Sequence, residues 1–322
     1  MVRKRILWID VAKAIAIICM IIGHIVPLGE LRNLIYSFHM PLFFVLTGFT
    51  MKKVSTRKEF FCQIKKDFFR ILIPYLTIYL ADNLMSIVVF KEEVRVDIIM
   101  DKLMWASAVE VKGHLAIGAI WFLFILFCTK VIFSLVRLLF PTVYNGIIFM
   151  FAALVGQIIA INQEWMIFSI DIVFVAVFYM YIGSIMKDNW EFIESRQMPI
   201  TIIAWFVWMF YWNEGLWVEM ATRYYPKFPM SIFMSLCGCI CVFILSKAIE
   251  NLPRLAKILG IIGKHTLAIL GVHYLSFRFM YLWENGNIVR DSFFDIAVAF
   301  GGAFILVFLK KGIILLKKEK AF

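Results

Sequence analysis

The sequence predicts an all-α, polytopic integral membrane protein, with about ten transmembrane helices in one bundle and both termini cytoplasmic. Three observations carry this reading. Of the 322 residues, 63% are hydrophobic and only 17% charged, and mean hydropathy is +0.87. Soluble domains run at roughly half apolar and a quarter charged. Apolar stretches of about 20 residues, the length of a helix that crosses bilayer hydrocarbon, recur along the chain. Lys and Arg gather on alternate connections, as the positive-inside rule requires.

The ten stretches are 11–29, 34–51, 71–90, 117–139, 143–162, 167–186, 198–213, 229–249, 264–283 and 293–315. The first follows the basic start Arg3-Lys4-Arg5, which resembles a signal peptide. Asp10, Lys13 and the lack of a small-residue cleavage site make it a retained helix instead. The second enters through Ile35-Tyr36-Ser37-Phe38-His39-Met40-Pro41, with Pro41 near a helix start where its missing N–H costs little. The third follows a basic segment, 52–70, and opens at Ile71-Leu72-Ile73-Pro74-Tyr75. The fourth opens at Ile120-Trp121, the fifth and sixth are apolar throughout, and the seventh is short and Trp-rich. The eighth carries Cys237, Cys239 and Cys241; on a helix the middle one faces away from the others, so they read as small buried hydrophobes and not as metal ligands. The ninth holds His273 and Arg278, and the tenth leads into the basic tail 310–320. Stretches this dense leave room for one domain, residues 1–322, and no separate soluble one.

With the N-terminus inside, cytoplasmic ends and loops hold 23 Lys and Arg and the outer ones eight. Trp105, Trp121, Trp165, Trp212 and Trp217 then fall near outer boundaries, as an aromatic belt would. The same bias accounts for the net charge of +11. No nucleic-acid-binding pattern accompanies it, so nucleic acid is not an expected partner. Six Cys are too sparse for a disulfide scaffold. No metal, P-loop, serine-hydrolase or dinucleotide fingerprint occurs, and no internal repeat suggests an inverted-repeat transporter.

Ionisable groups inside a span are costly, and each is a functional hypothesis. Asp10, Lys13 and His24 share the first helix. Eleven residues separate Lys13 from His24, which returns to within about 20° of the same face, about 16 Å along it. One face thus carries a cation at its cytoplasmic end and an imidazole towards the outer leaflet. His39 lies at a similar depth in the second helix, and the short hairpin between them lets the two imidazoles converge. His273 is a third imidazole inside a span. Lys66 and Arg70, four apart, share a helix face at an inner helix end. Paired cations there suit a phosphate-bearing ligand; anionic lipid contact is the other reading. Asp171 and Asp82-Asn83 are further boundary polar groups, held as supporting residues.

These residues resemble those of the acyltransferase-3 family, polytopic membrane acyltransferases, and in particular its fucose 4-O-acetylase-like branch. The resemblance rests on Trp8-Ile9-Asp10-Val11-Ala12-Lys13 running to Gly23-His24, and on Tyr36-Ser37-Phe38-His39-Met40-Pro41-Leu42 with Thr47-Gly48. Weaker matches are Arg70-Ile71-Leu72-Ile73-Pro74-Tyr75, Ile120-Trp121-Phe122-Leu123, and Gly263-Lys264-His265-Thr266-Leu267 with His273. The family's basic residue, ten intervening residues and His read here as Lys13 and His24. Its paired arginines read as Lys66 and Arg70, where Lys keeps the charge but loses bidentate geometry. The hydrolase-like extension of some members is absent, so a stand-alone membrane unit is expected.

The resemblance implies an O-acetyltransferase in the bacterial cytoplasmic membrane. Cytoplasmic acetyl-CoA would be the donor, held at its nucleotide end by Lys13, Lys66 and Arg70, with no metal. The acceptor would be a sugar hydroxyl of a cell-surface or lipid-linked glycan. His24 would be the catalytic base or the covalent acyl carrier, with His39 beside it. Asp10, Trp121 and His273 would line or orient the site. Membrane lipids are the other expected partners. Two rival readings start from the same residues: a small-molecule transporter, for example of amino acids, and a non-catalytic subunit of an envelope assembly.

Overall fold

Fifteen α-helices account for most of residues 6–282 and 288–319, the residues described by this computed structural model. The basic cluster 3–5 and Glu284 of the expected outer loop lie outside them. In chain order the helices are α1 Leu7–Ile25, α2 Glu30–Tyr36, α3 His39–Thr50, α4 Arg57–Asp67, α5 Ile73–Val88, α6 Val96–Trp105, α7 Trp121–Leu139, α8 Thr142–Ile161, α9 Asp171–Asp188, α10 Trp190–Ser195, α11 Gln197–Asn213, α12 Met230–Glu250, α13 Pro253–Lys264, α14 Thr266–Ser276 and α15 Ile288–Glu319. Among the described residues the fold is helical, apart from two isolated bridges, Val111 with His114 and Glu219 with Tyr224. The all-α, polytopic expectation therefore holds.

The expected ten spans are matched in part. Among the described residues, six helices are long and apolar enough to cross a membrane: Leu7–Ile25, the continuous Arg57–Val88, Gly118–Leu139, Thr142–Ile161, Ile167–Asp188 and Met230–Glu250. The second expected span is split at Ser37–Phe38, which leaves α3 with 12 residues. That is about 18 Å of helix, well short of a roughly 30 Å hydrocarbon core. The seventh, α11, has 17 residues. The ninth is broken at His265: α13 and α14 form a pair bent by 67°, and they make a seventh span if counted as one. The tenth stretch lies inside α15, which has 32 residues; among the described residues its apolar part is Phe293–Phe308. Asp291, just before the expected tenth stretch, and Asp295, within it, lie buried in α15.

The expected third span starts earlier than its apolar stretch. α4 begins at a capping box, Thr56 accepting from the Glu59 N–H while the Glu59 carboxylate accepts from the Thr56 N–H. Between α4 and α5 the helix passes through a π-turn, Phe68–Leu72, where the Ile73 N–H reaches back to the Phe68 carbonyl. Pro74 explains the break, since it has no N–H for the Arg70 carbonyl four residues back.

The chain divides into two compact units. The first joins residues up to Ile35 with those from Val242 onward. In it α1 packs on α13, and α14 on α15. Small residues make these contacts close: Ala256, Gly260 and Gly263 line the buried face of α13, and a Cβ on Gly263 would meet the Asp10 carbonyl. The second unit, Tyr36–Cys241, is built around α9, which packs against α3, α7 and α8. Here the approach is reciprocal. A Cβ on Gly48 would meet the Met180 carbonyl, and one on Gly183 the Val45 carbonyl. Both obstacles are backbone and cannot swing away. Gly183→Val is therefore expected to cost about 1–3 kcal/mol or more and to collapse the yield of monodisperse protein from detergent. Gly301→Ala, with nothing within 4 Å of its Cβ, should leave that yield unchanged. Equal yields for the two variants would refute the close crossing.

Candidate active site

In the first unit, the unbroken α1 keeps Lys13 and His24 in the spacing read from sequence. Asp10 is buried and its carboxylate lies 3.9 Å from Lys13 Nζ, itself about a third exposed. His24 is exposed, whereas Ile21 and Gly23 beside it are buried. Its imidazole faces α14: the His24 and His273 rings are 5.7 Å apart between centroids. Phe277 closes the group, 4.7 Å from His273 and 6.0 Å from His24. His273 is 1% exposed, and neither of its ring nitrogens has a hydrogen-bond partner among the described residues. His265 sits at the bend between α13 and α14.

The second unit holds the other sequence-derived candidates. His39 is buried as the first residue of α3, its ring 5.0 Å from Tyr36. The turn before it is pinned from two helices. Trp208 Nε1 of α11 donates to Ser37 Oγ at 2.8 Å, and Cys239 Sγ of α12 reaches the Phe38 carbonyl at 3.8 Å. Lys66 and Arg70 are both exposed, flanking the buried Asp67. Asp67 accepts from Lys130 Nζ of α7 at 2.7 Å and from Gln63 at 3.4 Å. This anchor fixes which face of α4 points inward, and so keeps the two cations outward. Trp121 opens α7 after a short turn at Gly118 and is 4% exposed. The structure thus brings Asp10 to Lys13 and His24 to His273, and carries Lys66 and Arg70 on the continuous helix Arg57–Val88.

One constellation was not foreseen. Arg223, from the α11–α12 connection, is 5% exposed and chelates Asp171 at the start of α9: Nε donates to Oδ2 at 2.7 Å and Nη2 to Oδ1 at 3.3 Å. Nη2 also reaches Ser169 Oγ at 3.0 Å, and Nη1 the Ala221 carbonyl at 2.8 Å. The guanidinium carbon lies 4.0 Å from the centre of the Trp165 ring. Next to this pair is a cavity of about 610 Å³ whose walls include Glu110, Trp165, Trp217 and Glu219. Tyr225 lies buried beside it in sequence, and burial holds its hydroxyl above the ordinary phenol range. The advance signals were Asp171, held as a boundary polar group without a partner in view, and Trp165 and Trp217 at outer boundaries, which read as an aromatic belt.

A helical fold with several membrane-crossing helices, ionisable groups on them and an exposed imidazole defines a multi-pass membrane protein with a polar site. The model of the acyltransferase-3 family, an acyltransferase domain, matches residues 6–311. The chain belongs to that family and is a membrane acyltransferase. No curated protein and no solved structure matches it significantly.

Proposed function

We propose that the protein is a bacterial inner-membrane O-acetyltransferase of the fucose 4-O-acetylase-like branch, carrying acetyl from cytoplasmic acetyl-CoA to a sugar hydroxyl of a cell-surface or lipid-linked glycan. The observation that carries this reading is His24: an exposed imidazole on the membrane helix that also holds Lys13, in a chain of the acyltransferase family. The positive-inside bias puts both termini, Lys66 and Arg70 on the cytoplasmic side, where acetyl-CoA is available. Lys13, Lys66 and Arg70 bind its phosphates. The sugar oxygen attacks the thioester carbonyl while His24 takes the hydroxyl proton. The C–S bond breaks, and the departing thiolate recovers that proton from the imidazolium. Asp10 holds Lys13, and His273 and His39 orient the groups around them. An acetyl-His24 intermediate is the other route open to the same imidazole, and acetyl label bound to the chain on mixing with acetyl-CoA in the absence of acceptor distinguishes the two.

The test is transfer of labelled acetate from acetyl-CoA to base-stripped glycan by the full chain in lipid vesicles. Alkali-labile label on the sugar supports the reading. Label remaining in acetyl-CoA throughout overturns it. For donor binding, the double substitution Lys66→Gln with Arg70→Gln is expected to raise the KM for acetyl-CoA about tenfold or more while kcat changes little, because each cation–phosphate contact serves ground state and transition state alike. An unchanged KM would reduce the pair to lipid-facing charge.

A further inference from the structure

We propose that the cavity formed by the α6–α7, α8–α9 and α11–α12 connections binds a sugar unit of the acceptor glycan. The glycan's role as acceptor rests on the acetyltransferase reading, whereas the fit of a sugar to the cavity rests on its walls.

The walls carry two kinds of surface. Trp165, Trp217 and Tyr224 offer aromatic faces. A pyranose ring has an apolar side of C–H groups that stacks on such faces. Around the rings stand Glu110, Gln163 and Glu219, which can accept from or donate to sugar hydroxyls. The volume, about 610 Å³, falls inside the roughly 300–1,000 Å³ range of small-ligand pockets. The charges favour a neutral polyol over a phosphate. Both cations of the wall are already committed, Lys112 to Glu164 at 3.5 Å and Arg223 to Asp171.

The cavity is also built in advance. Arg223 fixes the Trp165 ring, and Trp217 packs on Tyr224 with centroids 4.6 Å apart. Lys112, Gln163 and Arg223 all adopt left-handed backbone, with φ of 51°, 53° and 59°. Such conformations are disfavoured for residues with a Cβ and persist where the surroundings impose them, as at ligand sites. The position agrees with the role. α9 starts at Asp171 beside the cavity and ends near Met51, whose carbonyl accepts from Lys187. The cavity therefore lies at the end of this unit opposite the basic 52–70 segment, which is the non-cytoplasmic end under the positive-inside rule.

The experiment uses the detergent-solubilised full chain and the producing cell's own surface polysaccharide, stripped of esters with mild base, in saturation-transfer NMR. Sugar ring protons should saturate with the wild type. Trp217→Ala should weaken binding about tenfold or more, as loss of a central aromatic anchor does. Glu110→Gln, an exposed and nearly isosteric change, should also weaken it and carries the test if Trp217→Ala fails to fold. Phe151→Ala, on an exposed flank of α8, should bind as the wild type does. A wild type that binds no polysaccharide, or pocket variants that bind undiminished, overturns the proposal. The acetyl-transfer assay on the same wild-type sample tells the two readings apart. Binding without transfer overturns the acetyltransferase reading and leaves the pocket standing. Transfer with unaltered binding in both pocket variants does the reverse.

Discussion

Replacing His24 with alanine is expected to lower acetyl transfer by about 10²–10⁴-fold, the usual contribution of a positioned general base. The effect should fall on chemistry, because His24 is exposed and its truncation opens no cavity in a packed core. Its two ring contacts on the α14 side, with His273 and Phe277, predict a graded series. His273→Ala removes a neighbour that lacks hydrogen-bond partners of its own among the described residues, and is expected to cost less in rate than His24→Ala. Because His273 is buried, its variant should cost more in stability. Initial rates at saturating acetyl-CoA, normalised to monodisperse protein, together with the thermal midpoint of each variant, separate the two effects. A His24→Ala rate within about threefold of wild type, well under the smallest loss expected of a missing base, would remove the imidazole from the chemistry and leave it a structural residue.

That series depends on residues legible from sequence alone. Lys13 and His24 could be placed on one helix by counting, and the unbroken α1 preserves the count. The apolar stretches 117–139, 143–162, 167–186 and 229–249 likewise match α7, α8, α9 and α12 to within a few residues. Composition says how much of a segment is apolar and nothing about the path its backbone takes. For that reason the split before His39 and the bend at His265 were invisible. The first is held by Trp208 and Cys239 from helices about 200 residues away or nearly so in the chain. The second follows the polar run Lys264-His265-Thr266 between apolar neighbours. Arg223 was hidden for the same reason: its partner Asp171 is 52 residues distant. Trp165 and Trp217 were seen but assigned to a belt. Trp serves membrane boundaries and ligand pockets equally, and only the guanidinium over one ring and the tyrosine against the other separate the roles.

Asp171→Ala is expected to be the most destabilising single change in the α8–α9 and α11–α12 connections. Both side chains of the Arg223–Asp171 pair are almost fully buried. Removing the carboxylate strands a guanidinium in low dielectric, at a cost of about 3–5 kcal/mol. A fall in thermal midpoint on the order of 5–10 °C is the matching readout. Replacing both partners with apolar residues, Arg223→Met and Asp171→Leu, removes the stranded charge and often restores stability for buried pairs. Here it should restore only part. Arg223 also serves the Ala221 carbonyl, and Asp171 accepts the Met166 N–H at 3.0 Å. Those backbone groups would be left without partners, each costing about 1–3 kcal/mol. The double variant should therefore melt between Asp171→Ala and wild type, and its glycan binding should stay weak, because Trp165 has lost the group that holds its ring. Full recovery of stability and binding together would mean the pair is a replaceable ion pair rather than the frame of the cavity.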